Sequence, residues 1–240
     1  MNFSLVIPFY NEEKNVRSVV SELIAELEKA DVDYQLVLVN NGSVDETPRI
    51  LEELAGEKPA RITVVHVPVN QGYGWGIING LKLASGEFVG HMWGDGQINP
   101  GDVVRVFDNI QDNSCDLSKV KRVVRKDGVI RRFLSVVYNL LFLIAFDVKT
   151  LDVNGSPKIL KRESLNKVCP TSKDWFIDAE IMIKAKYLNL RISEVPVEFL
   201  HREKGRSHVR VTTLLEFARN MINYKLGGGV KAWKQKVLRS

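Results

Sequence analysis

Along its first hundred residues this chain switches repeatedly between two hydrophobic periods. Phe3, Leu5, Val6, Ile7 and Phe9 form a short, nearly continuous apolar run, the pattern of a buried strand, bounded by Pro8 and the turn-prone Asn11. From residue 13 to 30 the apolar positions (Val16, Val19, Val20, Leu23, Ile24, Leu27) fall at helical spacing. A second strand over Leu36–Val39 ends in Asn40-Asn41-Gly42-Ser43, and a helix resumes over Asp45–Leu54 with Asp45 as its cap. Ile62–Val67 reads as a third strand, the Gly-rich stretch Asn70–Gly76 leads a helix to about Ala84, and Phe88–Met92 reads as a fourth strand.

Strands alternating with helices of this length predict parallel strands joined by right-handed crossovers. Ligands bind such sheets at the carboxyl ends of the strands. The unusual polar clusters Asn11-Glu12, Asn40–Asp45 and Trp93–Asn99 all fall there. Beyond residue 100 the pattern loosens. Arg131–Phe146 is strongly apolar but too short to span a bilayer. Asp174–Leu188 reads as a helix, Ile192–Phe199 as a strand and Thr212–Leu226 as an amphipathic helix.

Composition narrows the class. The 240 residues are 45% hydrophobic, enough for one large α/β domain. The opening MNFSLVIPFYNEE has neither the basic leader nor the long apolar run of a signal peptide. Cys115 and Cys169 have no metal-ligand spacing and suit two thiols of a reducing compartment, so a cytoplasmic location is expected. The net charge of +5 is uneven: Lys119–Arg132 carries seven basic residues against one Asp, and Lys225–Ser240 carries five and no acid. Such clusters suit a solvated face, nucleic acid or anionic lipid, and composition does not choose among them.

Four segments, VIPFYNEEKNV, LVLVNNGSVDET, NQGYGWGIINGLKLASGEFV and WGDGQINP, resemble in order and spacing the family 2 glycosyltransferases. The likeness extends over about 210 of the 240 residues. It implies an α/β, GT-A type open, mostly parallel twisted sheet flanked by helices, with C-terminal amphipathic helices. The corresponding division is a glycosyltransferase domain over 1–210 and a helical basic tail over 211–240. A rival dinucleotide-binding loop at Gly72, Gly74 and Gly76 has the wrong spacing, follows the third strand and lacks the acidic ribose ligand; a tight turn with close helix packing explains those glycines.

The resemblance implies a UDP- or GDP-sugar donor bound by Pro8, Tyr10, Glu12, Asn40, Asn41, Gly94, Asp95, Lys158, Arg202 and His208. Glu12 suits ribose hydroxyls as an acceptor-only group, or serves as an acid at a helix N-terminus. Asn40 and Asn41 replace the family's base-reading Asp residues. In the family's metal motif Asp95 holds the second acidic position while Trp93 replaces the first, so Asp95 and Gln97 are the expected ligands of Mg²⁺ or Mn²⁺. The bland reading of Asp95 is a turn residue before Gly96.

Lys158, within DVNGSPKILKRE, takes the place of a basic residue near the donor phosphates. Asp178, or Glu180 two residues on, is the candidate general base, the alternative being an acid at a helix N-terminus. Arg202 and His208, in HREKGRSH, resemble a phosphate-binding loop, with Asp95, Asp178 and Arg202 as the expected catalytic set. Within the family the likeness runs to dolichol-phosphate mannose synthases and bacterial polyprenyl-phosphate enzymes. That implies inverting transfer to a lipid phosphate at the cytoplasmic face of a membrane, with peripheral contact through Arg131–Phe146 unless that segment is a buried helix. Two alternatives stand beside it: transfer to a saccharide hydroxyl, and a non-catalytic binder of nucleotide sugar or nucleic acid. No nucleic-acid partner is expected.

Overall fold

The computed structural model describes the chain apart from residues 113, 126–128, 151, 200–210 and 238–240. In chain order the elements are β1 (Phe3–Phe9), α1 (Val16–Lys29), β2 (Tyr34–Asn41), α2 (Thr47–Glu57), β3 (Ile62–Val67), α3 (Tyr73–Leu81), β4 (Phe88–His91) and α4 (Pro100–Asp112). Then follow β5 (Leu117–Arg125), α5 (Val129–Phe146), β6 (Lys158–Lys161), α6 (Arg162–Val168), α7 (Ile177–Tyr187), β7 (Ile192–Phe199), α8 (Val211–Leu226) and α9 (Gly229–Val237). The strands form one sheet in the order β3-β2-β1-β4-β6-β5-β7. β1 is parallel to β2 and β4, β2 to β3, and β5 to β7, whereas β6 runs antiparallel to both β4 and β5.

Every residue of β1 and β2 is buried, as expected for central strands covered on both faces. Alternation along β1 and β2 divides the core. Leu5, Ile7, Leu36 and Leu38 face α1, α2 and α4, whereas Val6, Val37 and Val39 face the side of α3 and α7. On that second side α3 lies unusually close to the sheet because two of its turns carry no side chain. A Cβ on Gly76 would stand 2.9 Å from Pro8 Cβ and 3.1 Å from Asn41 Cγ; one on Gly80 would collide with Val6 Cγ1 and stand 2.9 Å from Val39 Cγ2. Close helix packing is therefore the task of these glycines.

The first four strands fall where the hydrophobic pattern puts them. Helix α1 begins at Val16 rather than 13, and α3 ends at Leu81 rather than near Ala84. Sequence patterning identifies neither α4, β5, β6, α6 nor α9. The basic run beginning at Lys119 is partly interior: the side chains of Lys119 and Arg122 are 0% and 8% exposed. Helix α5 is two-faced, burying Tyr138, Phe142 and Phe146 while exposing Val136, Leu140, Leu141 and Ile144. Among the described residues no helix is long and apolar enough to cross a membrane. Near the C-terminus Trp233 is buried and donates its indole N–H to Lys167 O at 3.1 Å.

The close seating of α3 makes a test. Gly80→Ala is expected to destabilise the protein by about 1–3 kcal/mol through overpacking. Gly56→Ala, whose Cβ would meet nothing within 4 Å, should be neutral or stabilising by up to about 1 kcal/mol. Urea titration of the two variants measures both.

Candidate active site

Chain order reverses between β1 and β4, and the loops leaving β1, β2 and β4 converge at this switch point. The first two loops are stitched together. Asn11 N–H donates to Ser43 Oγ (3.0 Å), Glu12 N–H to Thr47 Oγ1 (2.9 Å) and Val44 N–H to Asn11 Oδ1 (2.9 Å). Asn11 takes φ +53°, a conformation that asparagine tolerates better than most residues. Pro8 is buried and Tyr10 half-buried at the rim of this wall.

Glu12 is buried; its carboxylate accepts from Asn15 Nδ2 at 2.6 Å and its carbonyl starts α1. The two asparagines differ because adjacent strand residues point to opposite faces. Asn40 turns to the α2 side, where Oδ1 accepts from Ser43 N–H (2.9 Å) and Nδ2 meets His66 Nδ1 (3.1 Å). Asn41 turns to the α3 side, where Nδ2 donates to Gly72 O (3.0 Å) and its buried Oδ1 has no hydrogen-bond partner among the described residues. Asn41 thus leaves one acceptor unused, whereas both polar atoms of Asn40 are used within the protein.

At the end of β4, Gly94 lets the chain pass close to β1: a Cβ there would lie 2.6 Å from the Phe9 ring. Asp95 Oδ1 accepts from Gln97 N–H at 3.2 Å around Gly96, whose φ is +76°. Trp93, in the position of the missing acid, carries the Arg122 guanidinium 5.2 Å from its ring centroid. Arg122 in turn makes a bidentate pair with Asp152, Nε to Oδ2 at 2.8 Å and Nη2 to Oδ1 at 2.6 Å. Burial alone would raise the Asp152 carboxyl, but Arg122 overrides it and holds the group down at about 2. Among the described residues no group of three His, Cys, Asp or Glu side chains converges as a metal cage. One carboxylate beside an amide suits a Mg²⁺-type ion that takes its remaining ligands from substrate phosphates and water.

The antiparallel course of β6 puts its first residue beside the last residue of β4. A transverse row results: His91 pairs in register with Lys158, Lys158 with Lys119, and Lys119 with Glu194. Lys158 is fully buried, donating to Gly155 O (2.7 Å) and Asp178 Oδ1 (2.5 Å), and His91 Nε2 lies 3.1 Å from the same carboxylate oxygen. The resemblance placed Lys158 at the donor phosphates; the structure instead commits its ammonium to Asp178. Burial pushes Lys158 down to about 8, against the pull of Asp178. Asp178 is also fully buried, which opposes ionisation, yet the Lys158 charge and the His91 hydrogen bond leave it below the ordinary carboxylate range. Both partners therefore remain charged at neutral pH.

Glu180 faces elsewhere, accepting from Thr171 N–H (2.9 Å) and Ser172 N–H (2.7 Å) and pairing with Lys184. It fixes the loop before α7 and does not face Asp178. Arg202 and His208 lie outside the described residues. The structure thus brings Asp95 and Asp178 to one edge of the sheet, and adds His91, Arg122 and Asp152, which sequence reasoning missed. Asp152 opens a segment already singled out by resemblance; His91 carries no local signal.

The profile of the family Glycosyl transferase family 2 matches residues 4–169, and the chain belongs to that family. It is 28% identical, over 96% of its length and 75% of the relative's, to a dolichyl-phosphate beta-glucosyltransferase of Trichomonas vaginalis. Glucosyl-3-phosphoglycerate synthase from Mycobacterium tuberculosis, solved in complex with UDP, superposes with a TM-score of 0.69 at 25% identity, covering 94% of this chain and 79% of that one. TarS of S. aureus, solved with UDP-GlcNAc, superposes at 0.63 with 22% identity, covering 92% and 65%. The fold is the GT-A fold, and the chain is a family 2 glycosyltransferase enzyme.

The Arg122–Asp152 pair has a measurable pH signature. A carboxyl lowered from 3.8 to about 2 contributes stability that is present above 3.8 and lost as pH falls through 2. The expected gap between wild type and Asp152→Asn is about 2 kcal/mol near neutrality, narrowing in that acid window. Chemical denaturation at a series of pH values reads it directly.

Proposed function

We propose that the chain is an inverting glycosyltransferase that moves a sugar from a UDP-sugar to a hydroxyl of a small-molecule or saccharide acceptor. The observation that carries this reading is Asp178, an ionised carboxylate held by Lys158 and His91 at the carboxyl edge of β4. A hydroxyl acceptor must lose a proton as its oxygen attacks the anomeric carbon from the face opposite the nucleotide, and Asp178 takes that proton. A phosphate acceptor, already anionic, needs no such base. The M. tuberculosis synthase has been solved with Mn²⁺, UDP and phosphoglyceric acid, and with Mg²⁺ and UDP, which supports a UDP donor and a non-lipid acceptor here.

Asp95 and Gln97 would hold Mg²⁺ or Mn²⁺ with the donor diphosphate, where the ion would offset the charge of the departing group. Pro8, Tyr10, Glu12 and Asn41 would form the nucleoside wall, with the unused Asn41 Oδ1 as the acceptor for the base. Arg202 and His208 are assigned to the phosphates on resemblance alone.

Two variants test this. Asp95→Ala is expected to remove most turnover with an unchanged circular dichroism spectrum; near-normal turnover would sink the metal assignment. Asp178→Asn is expected to lower kcat by about 10²–10⁴-fold while UDP affinity, measured by calorimetry, stays the same.

A second reading, transfer to a polyprenyl phosphate, is favoured by α5 and by the name of the Trichomonas relative. Val136, Leu140 and Ile144 are 60%, 55% and 71% exposed on one helix that buries its other face. An apolar face of this kind suits the boundary of a bilayer. On this reading Leu140→Asp with Ile144→Asp abolishes flotation with anionic vesicles and turnover of polyprenyl phosphate. Unchanged flotation and turnover exclude it.

A further inference from the structure

We propose that His91 is a positioning residue for the transfer: with Lys158 it claims Oδ1 of Asp178 and so leaves Oδ2 to take the acceptor's proton; the inference rests on the transferase reading above. Three observations lead there. The first is placement. His91 closes β4 and pairs in register with Lys158, the first residue of β6. Alternation gives both the same face, because Val89 and Leu160, two residues away on each strand, belong to the core on the α3 and α7 side. Asp178 lies in the first turn of α7, on that side. The strand ends are held in turn: Met92 N–H donates to Val6 O at 3.0 Å and Ser156 Oγ to His91 O at 3.4 Å. His91 Nε2 stands 3.1 Å from Asp178 Oδ1, and both side chains are buried.

The second observation is that both bonds fall on one oxygen. Lys158 Nζ donates to Oδ1 at 2.5 Å, His91 Nε2 meets the same atom, and among the described residues no hydrogen bond reaches Oδ2. An ionised carboxylate only accepts, so His91 Nε2 carries the proton of that bond. The ammonium is a compact charge with rotatable donors, and alone it would serve either carboxylate oxygen. The imidazole N–H has a single direction, set by a ring on a strand. Lys158 therefore balances the charge of Asp178, and His91 fixes which oxygen is spent on the protein.

The third is that neither folding nor charge balance calls for His91. Phe88, Val89 and Gly90 precede it on a fully buried strand between β1 and β6, where an apolar residue would continue the pattern. On the proposed function one carboxylate oxygen has to face the acceptor. The acceptor O–H proton passes to Oδ2 as its oxygen bonds the anomeric carbon, and the bond from that carbon to the diphosphate oxygen breaks with its electron pair. A carboxylate free to turn would present the accepting oxygen only part of the time; one pinned at Oδ1 presents Oδ2 throughout. The charge of Asp178 is also felt by the phenols of Tyr73 on α3 and Tyr138 on α5. Burial, followed by that charge, pushes both up, so they stay protonated and do not compete for the proton.

Substitution of His91 tests this, read as UDP release from UDP-glucose and UDP-GlcNAc with water or glycerol as the hydroxyl acceptor. His91→Phe is expected to bind UDP with unchanged affinity and to lower kcat about 10–100-fold with little change in the donor KM. Burial opposes ionisation of Asp178, and Lys158 followed by His91 outweighs it, so loss of the His91 bond moves the acid limb of kcat up by about one pH unit. His91→Gln, whose amide N–H reaches toward the same oxygen, restores most of both. Should His91→Phe not fold, His91→Asn, one methylene shorter, takes its place with the same expectation. In an Asp178→Asn background, His91→Phe costs nothing further. A wild-type kcat and acid limb in His91→Phe overturn the inference, as does His91→Gln equally impaired, or a full additional loss in the Asp178→Asn background. An imidazole ¹⁵N spectrum of the wild type with no proton on His91 Nε2 overturns it independently of activity. Loss of turnover in Asp178→Asn with none in His91→Phe keeps the transferase reading and sinks only this inference. Unchanged turnover in Asp178→Asn, or wild-type protein that releases no UDP from either donor, overturns that reading and this inference with it.

Discussion

Two lysine ammonium groups buried side by side within one sheet set the terms for the second half of this structure. Lys158 and Lys119 are register partners on β6 and β5, and both are fully buried. Like charges directly opposite each other are destabilising, and each buried ion carries a desolvation penalty of several kcal/mol. Each therefore needs its own carboxylate. Asp178, in the first turn of α7, serves Lys158; Glu194, from the adjacent strand β7, serves Lys119 at 3.0 Å together with Thr150. Docking of α7 and the register of β7 both follow from that requirement. A pair of this kind is a poor device for stability alone. Lys158, pushed down from 10.5 to about 8, costs the fold stability while charged, and this cost is relieved as pH rises through that interval. Asp178, lowered by its partners, contributes stability above the ordinary carboxylate range and loses it as pH falls. What the arrangement provides is an ionised carboxylate in a fixed position, at the edge where a sheet of this class binds ligands.

Reversal of β6 is the topological step that makes this work. In a parallel strand the first residue lies at the amino edge, far from the site. Running antiparallel, β6 delivers Lys158 beside His91 at the carboxyl end of β4, and the loop before it delivers Asp152 to Arg122. The glycine-rich turn completes the enclosure from the other half of the chain. Gly72 and Gly74 let α3 begin directly against the loop fixed by Glu180, and Asn41 Nδ2 ties that turn back to β2. The loops after β1 and β2, the turn before α3 and Asp178 are thus tied together by short side chains and a buried ion pair.

Legibility in the sequence follows from these contacts. The first four strands were readable because central parallel strands are apolar on both faces and end in polar turns, as Phe3–Phe9 and Tyr34–Asn41 do. Strand β5 was hidden because Lys119, Lys121 and Arg122 give it the look of a solvated basic run, and the groups that neutralise Lys119 and Arg122 lie 75 and 30 residues away. Strand β6 has only four residues, too few for a period. Asp95 and Asp178 were legible because a motif or a resemblance carried them. Lys158 was located but given another task, since neither its burial nor Asp178 as its partner can be read locally. Tyr73 fills a position between two required glycines, where any residue fits the spacing and only the fold reveals that its ring stacks on Trp175.

Trp93 is the feature that most changes the chemistry expected of the site. An apolar ring stands where a second carboxylate would add negative charge beside the diphosphate, and the nearby Arg122 is already neutralised by Asp152. On the proposed function a single carboxylate, Asp95, gives a divalent ion little to hold before the donor arrives, because most of its oxygen ligands come from the diphosphate and from water. Ion and donor would then bind as one unit, each raising the affinity of the other by the same factor, as linkage requires. Productive positioning of the sugar depends correspondingly less on metal ligands and more on the rigid protein groups around it. On the proposed function Asn41 and the buried Asp178 would be groups of that kind.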